Sequence, residues 1–478
     1  MLTVSMTATF RQRFLRARTP SSLPFVSRFG FSRPGLSRPL LTGLLVACGL
    51  LGCDAFSGLE TPETAGNLPP LTRPLYPTGI ALHPTENMLA VVSSNFDLRH
   101  ASGALLLADL DQVTSDLANG NDDGTAISLM PYVDAAFIPS FGNRPVWSTD
   151  GARLVLPVRD DNRLIEVNLD LATTKPRLTC GDRFDDETPT CDASPYAVTL
   201  AGSDPYSVVL YEETPDRISG VVGLVSSPDL YFFTIRPSLD GFDRIRMAPL
   251  SLAGDALGVR GLAVRSVGNM RTVFATVDRL GTSTRGLSSV VFFDPTRANP
   301  VSGDTSAVVV RSIDLFDLTG SSSARDLAVT PDGDGLLVLL RLPDGLLRLD
   351  ITPTGSTVAL ELGGLGPTCR EPSAIAIARL TGTRFGDVDR AIVTCFGSDA
   401  VVGHDPLHLH ETDAARFFGD GPFDVVIDAR PDRGPAAYVS YFLDDSIGVF
   451  SLVDENGDVR LTPKGRIGTA RPPREDGR

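Results

Sequence analysis

Short apolar runs separated by polar turns recur along most of this chain. The clearest set lies between Gly421 and Leu452. Phe423 to Ile427 is apolar, Asp428 to Gly434 is a polar turn, and Ala437 to Tyr441 is apolar again. Leu443-Asp444-Asp445 then turns the chain into a third run, Ile447 to Leu452. Short β-prone runs joined by tight polar turns predict an antiparallel meander. A lone meander cannot bury both of its faces, so it must stack on copies of itself.

The copies are present. Seven short strands, each preceded by turn residues, are Thr78 to Leu82, Arg144 to Trp147, Tyr206 to Leu210, Arg260 to Val264, Arg325 to Val329, Ser373 to Ile377 and Phe423 to Ile427. Several lead into turns such as Ser148-Thr149-Asp150-Gly151 and Thr330-Pro331-Asp332-Gly333. Second runs follow at Leu89 to Ser93, Leu154 to Val158, Val273 to Val277, Leu336 to Leu340 and Ala391 to Thr394. Third runs follow at Ala104 to Leu107, Leu164 to Asn168, Ser289 to Phe293 and Gly345 to Leu349. The repeat averages about 57 residues, long enough for a fourth strand and surface loops. The inner runs are almost wholly apolar rather than alternating, as radially packed sheets require. The expected fold is all-β: a seven-bladed β-propeller of four-stranded antiparallel blades over residues 75–470. Two β-sandwiches are the rival, disfavoured by the single motif and the even composition. The outer strand of the last blade comes either from Asp458 to Pro463 or from Leu71 to Tyr76.

The last repeat resembles the YVTN-type propeller repeat of the broad WD-repeat and lactonase-like group. Ala437-Tyr438-Val439-Ser440 stands at its namesake strand and Asp444-Asp445-Ser446-Ile447 at the following turn, while Tyr441 replaces the namesake Asn. Leu89-Ala90-Val91-Val92-Ser93-Ser94-Asn95 is a second partial match. The resemblance implies a fold and no fixed activity.

Charge narrows the partners. The formal net charge is −15, and residues 1–52 hold seven Arg and no Asp or Glu, which leaves about −22 from Cys53 onward. Nucleic-acid binding needs a cationic face and is not expected. Pro39 to Leu51 is apolar but shorter than the roughly 18–20 residues that span a bilayer. It ends Leu50-Leu51-Gly52-Cys53, which resembles the lipobox of a bacterial lipoprotein signal peptide. That resemblance implies cleavage of residues 1–52, a diacylglycerol on Cys53 and a membrane-anchored address at the cell envelope. The rival is an uncleaved anchor. Residues 53–74 are polar and proline-rich and read as a flexible tether; residues 471–478 read as a disordered tail.

Of six cysteines, the lipobox resemblance implies that Cys48 leaves with the signal and that Cys53 is lipidated. Cys180, Cys191, Cys369 and Cys395 allow three disulfide pairings, of which Cys180–Cys191 and Cys369–Cys395 are preferred. No Cys-x-x-Cys occurs, so neither a cysteine metal site nor haem attachment is expected.

Candidate chemistry concentrates where the inner strands converge. Arg144, Arg260 and Arg325 lie two residues before the first core position of three inner strands. Glu371, Tyr206 and Phe423 precede or begin three others, and Thr78 begins the first. Such arginines either hold a carboxylate or phosphate, or pair with a neighbouring blade and lock the ring. His408 and His410 would share one strand face, either a transition-metal site or a solvated loop. Asn119 to Gly124 and Asp454 to Asp458 read as ordinary turns rather than calcium loops, since Met130 stands where the first needs Glu. No nucleophile elbow, zinc-protease motif or phosphate loop is present. The expectation is a lipid-anchored monomeric scaffold that binds a protein or small anionic ligand, without cofactor or metal. The alternative is an exported lactonase- or hydrolase-type enzyme with an Arg/Glu channel site.

Overall fold

Each predicted run forms a strand. The computed structural model describes residues 66–468, apart from 119–125, 130, 173–174, 182–186, 240, 253, 282–286, 321–322, 356 and 432. Cys53, the signal segment, most of the expected tether and the C-terminal tail lie outside the described residues. The inner strands are Pro77–Leu82, Val146–Trp147, Pro205–Thr214, Ala256–Val267, Ser323–Val329, Pro372–Thr383 and Pro422–Asp428. Each begins a sheet in which the strands of its own blade follow in chain order and pair antiparallel. Each inner strand packs beside the next, and the last packs beside the first. The ring is therefore a seven-bladed β-propeller of four-stranded blades.

Packing explains why the runs are continuously apolar. Alternate residues of a strand point to opposite faces, and here both faces are buried. In blade two, Leu154 and Leu156 fill the seam with blade one, whereas Val155 between them fills the seam with blade three. Seven apolar clusters result, one per seam. Every second strand feeds two of them. Fully burying one Leu or Val contributes about 1.5–3 kcal/mol, so the seams supply the main cohesion.

Blade seven takes its outer strand from Val459–Ile467. Among the described residues, no strand from before blade one completes blade seven, and the seam between blades seven and one is closed by other means. Leu110 and Val113 of the helix Leu110–Ala118 join Ile80, Tyr438 and Ile467 in one buried cluster. Ile127–Ser128 then adds to Val459–Ile467 as a parallel strand. Gly465 permits this approach: a Cβ there would lie 2.5 Å from the Ala126 carbonyl oxygen. Neither the helix nor this extra strand was expected. The approach to blade one is also laid down, with Pro74, Leu75 and Tyr76 buried. The Tyr76 N–H donates to Asp445 of blade seven at 2.8 Å.

Blade two has a divided outer edge. Arg177–Thr179 and Ala197–Thr199 both pair with Arg163–Asp170. Between them runs a loop closed by Cys180–Cys191, with Cα atoms 5.3 Å apart. It is tied to blade one where the Cys191 N–H donates to the Phe137 carbonyl at 2.8 Å. Cys369–Cys395, with Cα atoms 5.9 Å apart, joins the segment before the inner strand of blade six to the end of its second strand. Both separations suit a disulfide, and the preferred pairings hold. Closing loops of 11 and 26 residues stabilises by about 3 and about 3.5 kcal/mol on the chain-entropy model. Replacing Cys369 and Cys395 together by Ala is expected to lower unfolding free energy by about 3 kcal/mol in urea titrations. An unchanged midpoint would show that this bridge contributes nothing.

Candidate functional site

The first residues of the inner strands do converge on the channel, and a local irregularity aims them there. The ladder between first and second strands slips at Pro77/Gly79, Pro205/Ser207, Val259/Leu262, Ala324/Leu327, Pro372/Ala374 and Pro422/Asp424. The residues left out of pairing are Thr78, Tyr206, Arg260-Gly261, Arg325-Asp326, Ser373 and Phe423. A bulge re-aims its side chain, and all of these except Gly261 line one central cavity with Arg144 and Asp424. Glu371 does not. It is exposed on the rim, because the bulge falls one place past Pro372 and gives the channel position to Ser373.

Arg144 spans the axis. Its Nε donates to Asp424 Oδ1 at 2.7 Å, and its Nη2 donates to the same oxygen and to Asp326 Oδ2 at 3.2 Å. The two carboxylates also stitch neighbouring blades. Asp424 accepts the Ile80 N–H of blade one at 3.0 Å, and Asp326 accepts the Ile375 N–H of blade six at 3.1 Å. Blades one, two, five, six and seven thus meet in one polar network. Gly79 makes room for it, since a Cβ there would stand 2.5 Å from the Arg144 Cα. Burial alone would lower Arg144, but Asp424 and Asp326 overcome it and raise the guanidinium above its ordinary value. Burial pushes the Asp424 carboxyl up, opposed by Arg144. Arg144 is thus paired across blades with both carboxylates.

Arg260 pairs within its own blade, donating from Nε to Asp278 Oδ2. Arg325 differs from both. It makes no ion pair among the described residues, and its buried Nε has no hydrogen-bond partner. Burial, then repulsion from Arg260 and Arg341, pushes Arg325 down to about 10. It stays charged at neutral pH. Arg341 is itself lowered by burial, with Glu371 opposing. Tyr206 is raised by burial and by Asp326, so its hydroxyl stays protonated beside the arginines. The cavity measures about 50 Å³. A water needs about 10–15 Å³, so the space fits a carboxylate-sized group.

An aromatic surface flanks the channel residues, and only Phe423 of it was anticipated. Phe442 is its hub, with ring centroids 5.1 Å from Tyr76, 5.1 Å from Phe96, 5.6 Å from Phe423 and 6.3 Å from Phe396. Phe141 extends it 5.7 Å beyond Phe96. Phe96 is 49% exposed. Phe96, Phe396 and Phe442 each follow the second strand of a blade; that recurrence is visible in the sequence and is the signal that could have found them.

His408 and His410 do not share a strand. They stand on the turn between Ala400–His404 and Glu411–Arg416, where Asp405 Oδ2 lies 3.0 Å from His408 Nδ1.

Replacing Arg144 by Met would leave two buried carboxylates without their cation. Breaking such a pair costs about 3–5 kcal/mol. The lower end, about 3 kcal/mol, is expected because Arg144 is partly open to the channel. Arg260→Gln is expected to cost less than half as much. Equal losses in parallel urea titrations would remove Arg144 from its central role.

Comparison with known proteins adds the fold. No family model matches the chain, and no curated protein matches it. Among solved structures, the β-propeller domain of Cps50 (Swd1) from Myceliophteria thermophila aligns at 11% identity and a TM-score of 0.51, covering 81% of this chain and 99% of that one. Hydrazine synthase from Kuenenia stuttgartiensis aligns at 14% identity and 0.50, covering 80% and 97%. A Bacteroides uniformis protein described as a "putative 6-phosphogluconolactonase" aligns at 16% and 0.46, covering 72% and 86%. At these identities the likeness is one of fold.

Proposed function

We propose that this chain is a lipid-anchored propeller of the bacterial cell envelope that binds a ligand or protein partner through a carboxylate. The carboxylate meets Arg325, and the apolar body attached to it rests on the aromatic surface around Phe442. One observation carries the reading: a charged, partly buried guanidinium, without an ion-pair partner among the described residues, shares its cavity with Phe423, one ring of the aromatic cluster around Phe442. The small cavity favours insertion of a side-chain or terminal carboxylate over enclosure of a whole metabolite, which takes about 300–1,000 Å³. The chain's net negative charge repels anions at long range, so recognition rests on this local cluster. The hydrolase alternative has less support, because both carboxylates lining the cavity, Asp326 and Asp424, already accept from Arg144.

Acetate and phenylacetate are suitable probes. Phenylacetate is expected to bind about 2- to 12-fold more tightly than acetate, since aromatic contacts contribute about 0.5–1.5 kcal/mol. Arg325→Gln should weaken both about 10–100-fold, the value of a charged hydrogen bond. Thermal-shift titrations read both effects, and an Arg325→Gln protein with undiminished binding would refute the site.

The address rests on Leu50 to Cys53. Cys53→Ala is expected to move the protein from the membrane fraction to the soluble fraction of a bacterial host. Retention in the membrane fraction would overturn lipid anchoring.

A further inference from the structure

The geometry points to a divalent transition-metal site of the zinc class on the turn of blade six, formed by Asp405, His408 and His410. One ligand atom from each of the three lies within 4.8 Å of the others. Asp405 Oδ2 and His408 Nδ1 are 3.0 Å apart. Zinc bonds of about 2.0–2.1 Å in a tetrahedron put ligand atoms about 3.3 Å apart. The Asp–His pair is thus already near the edge of a coordination polyhedron. His410 closes the third corner by rotation of an exposed side chain, its ring centroid being 6.2 Å from that of His408.

The turn holds these groups firmly. The Asp405 N–H donates to the His410 carbonyl at 3.1 Å, and the Leu409 N–H donates to the Asp405 carbonyl at 2.8 Å. Asp405 Oδ1 accepts the N–H groups of Leu407 at 2.8 Å and His408 at 3.1 Å. Between the histidines, Leu409 has a φ of 60° and a buried side chain in the seam between blades five and six. A non-glycine residue in that left-handed region costs about 1–2 kcal/mol. Its burial fixes the direction of the chain there, and both flanking histidines stay exposed. Blade five clamps the turn as well, since Arg348 Nη1 donates to the Pro406 carbonyl at 3.2 Å.

Two imidazoles and one carboxylate suit Zn²⁺, Cu²⁺ or Ni²⁺ better than Ca²⁺ or Mg²⁺. Three protein ligands leave at least one position for water or for a partner's side chain. The site lies at the opposite end of the strand Ala400–His404 from Phe396. It is independent of the carboxylate site, and either can fail without the other.

The test is calorimetric titration of the full chain with zinc chloride, repeated on His408→Ala, His410→Ala and the double variant. Both rings are exposed, so the variants should keep the wild-type melting temperature. One zinc per chain is expected at this site, with each single variant at least tenfold weaker and the double variant lacking that binding. Cobalt(II) should give visible d–d absorption in the wild type that the double variant loses. Zinc binding that is absent, or that is unchanged in the double variant, overturns the proposal.

Discussion

One guanidinium on the ring axis determines what its neighbours can do. The inner strands of a propeller face the channel, where a backbone N–H needs a partner. Asp326 and Asp424 satisfy two such groups, at Ile375 and Ile80. That places two carboxylates in a confined space, which is tolerable only with a cation between them. Arg144 is that cation. The assignment consumes Arg144 and both acids, and Asp278 occupies Arg260. Arg325 remains as the charge the framework does not use.

These pairings also mark the boundary of what was legible in the sequence. Continuous apolar runs such as Leu336 to Leu340 announced strands buried on both faces. Their repetition announced a ring, and the convergence of Arg144, Arg260 and Arg325 followed. Pairing choices could not be read. Whether Arg144 or Arg325 finds a carboxylate depends on which blade lies across the channel, a relation about 180 to 280 residues away in sequence and invisible to local pattern. Glu371 shows the finer limit: a bulge one place further along gave its expected position to Ser373.

Features outside the repeat were also hidden. The helix Leu110–Ala118 lies in an excursion of blade one that has no counterpart at the same place among the described residues of the other blades. The aromatic surface was missed for the opposite reason. Phe96, Phe396 and Phe442 recur at equivalent places, but attention to inner strands passes over the loops after the second strands, where binding residues concentrate.

The closure between blades seven and one has a mechanical meaning. The chain passes directly from blade to blade at six junctions; at the seventh, among the described residues, it crosses as the excursion that carries Ile127 and Ser128. Separating the ring there would wet two blade faces and leave every blade hydrogen-bonded and stacked on a neighbour, as in an open solenoid. Parting any other junction also strains the connecting segment. The molecule is thus a strip of seven sheets fastened end to end by a buckle, whose tongue is the pair Ile127–Ser128 and whose pad is the helix Leu110–Ala118.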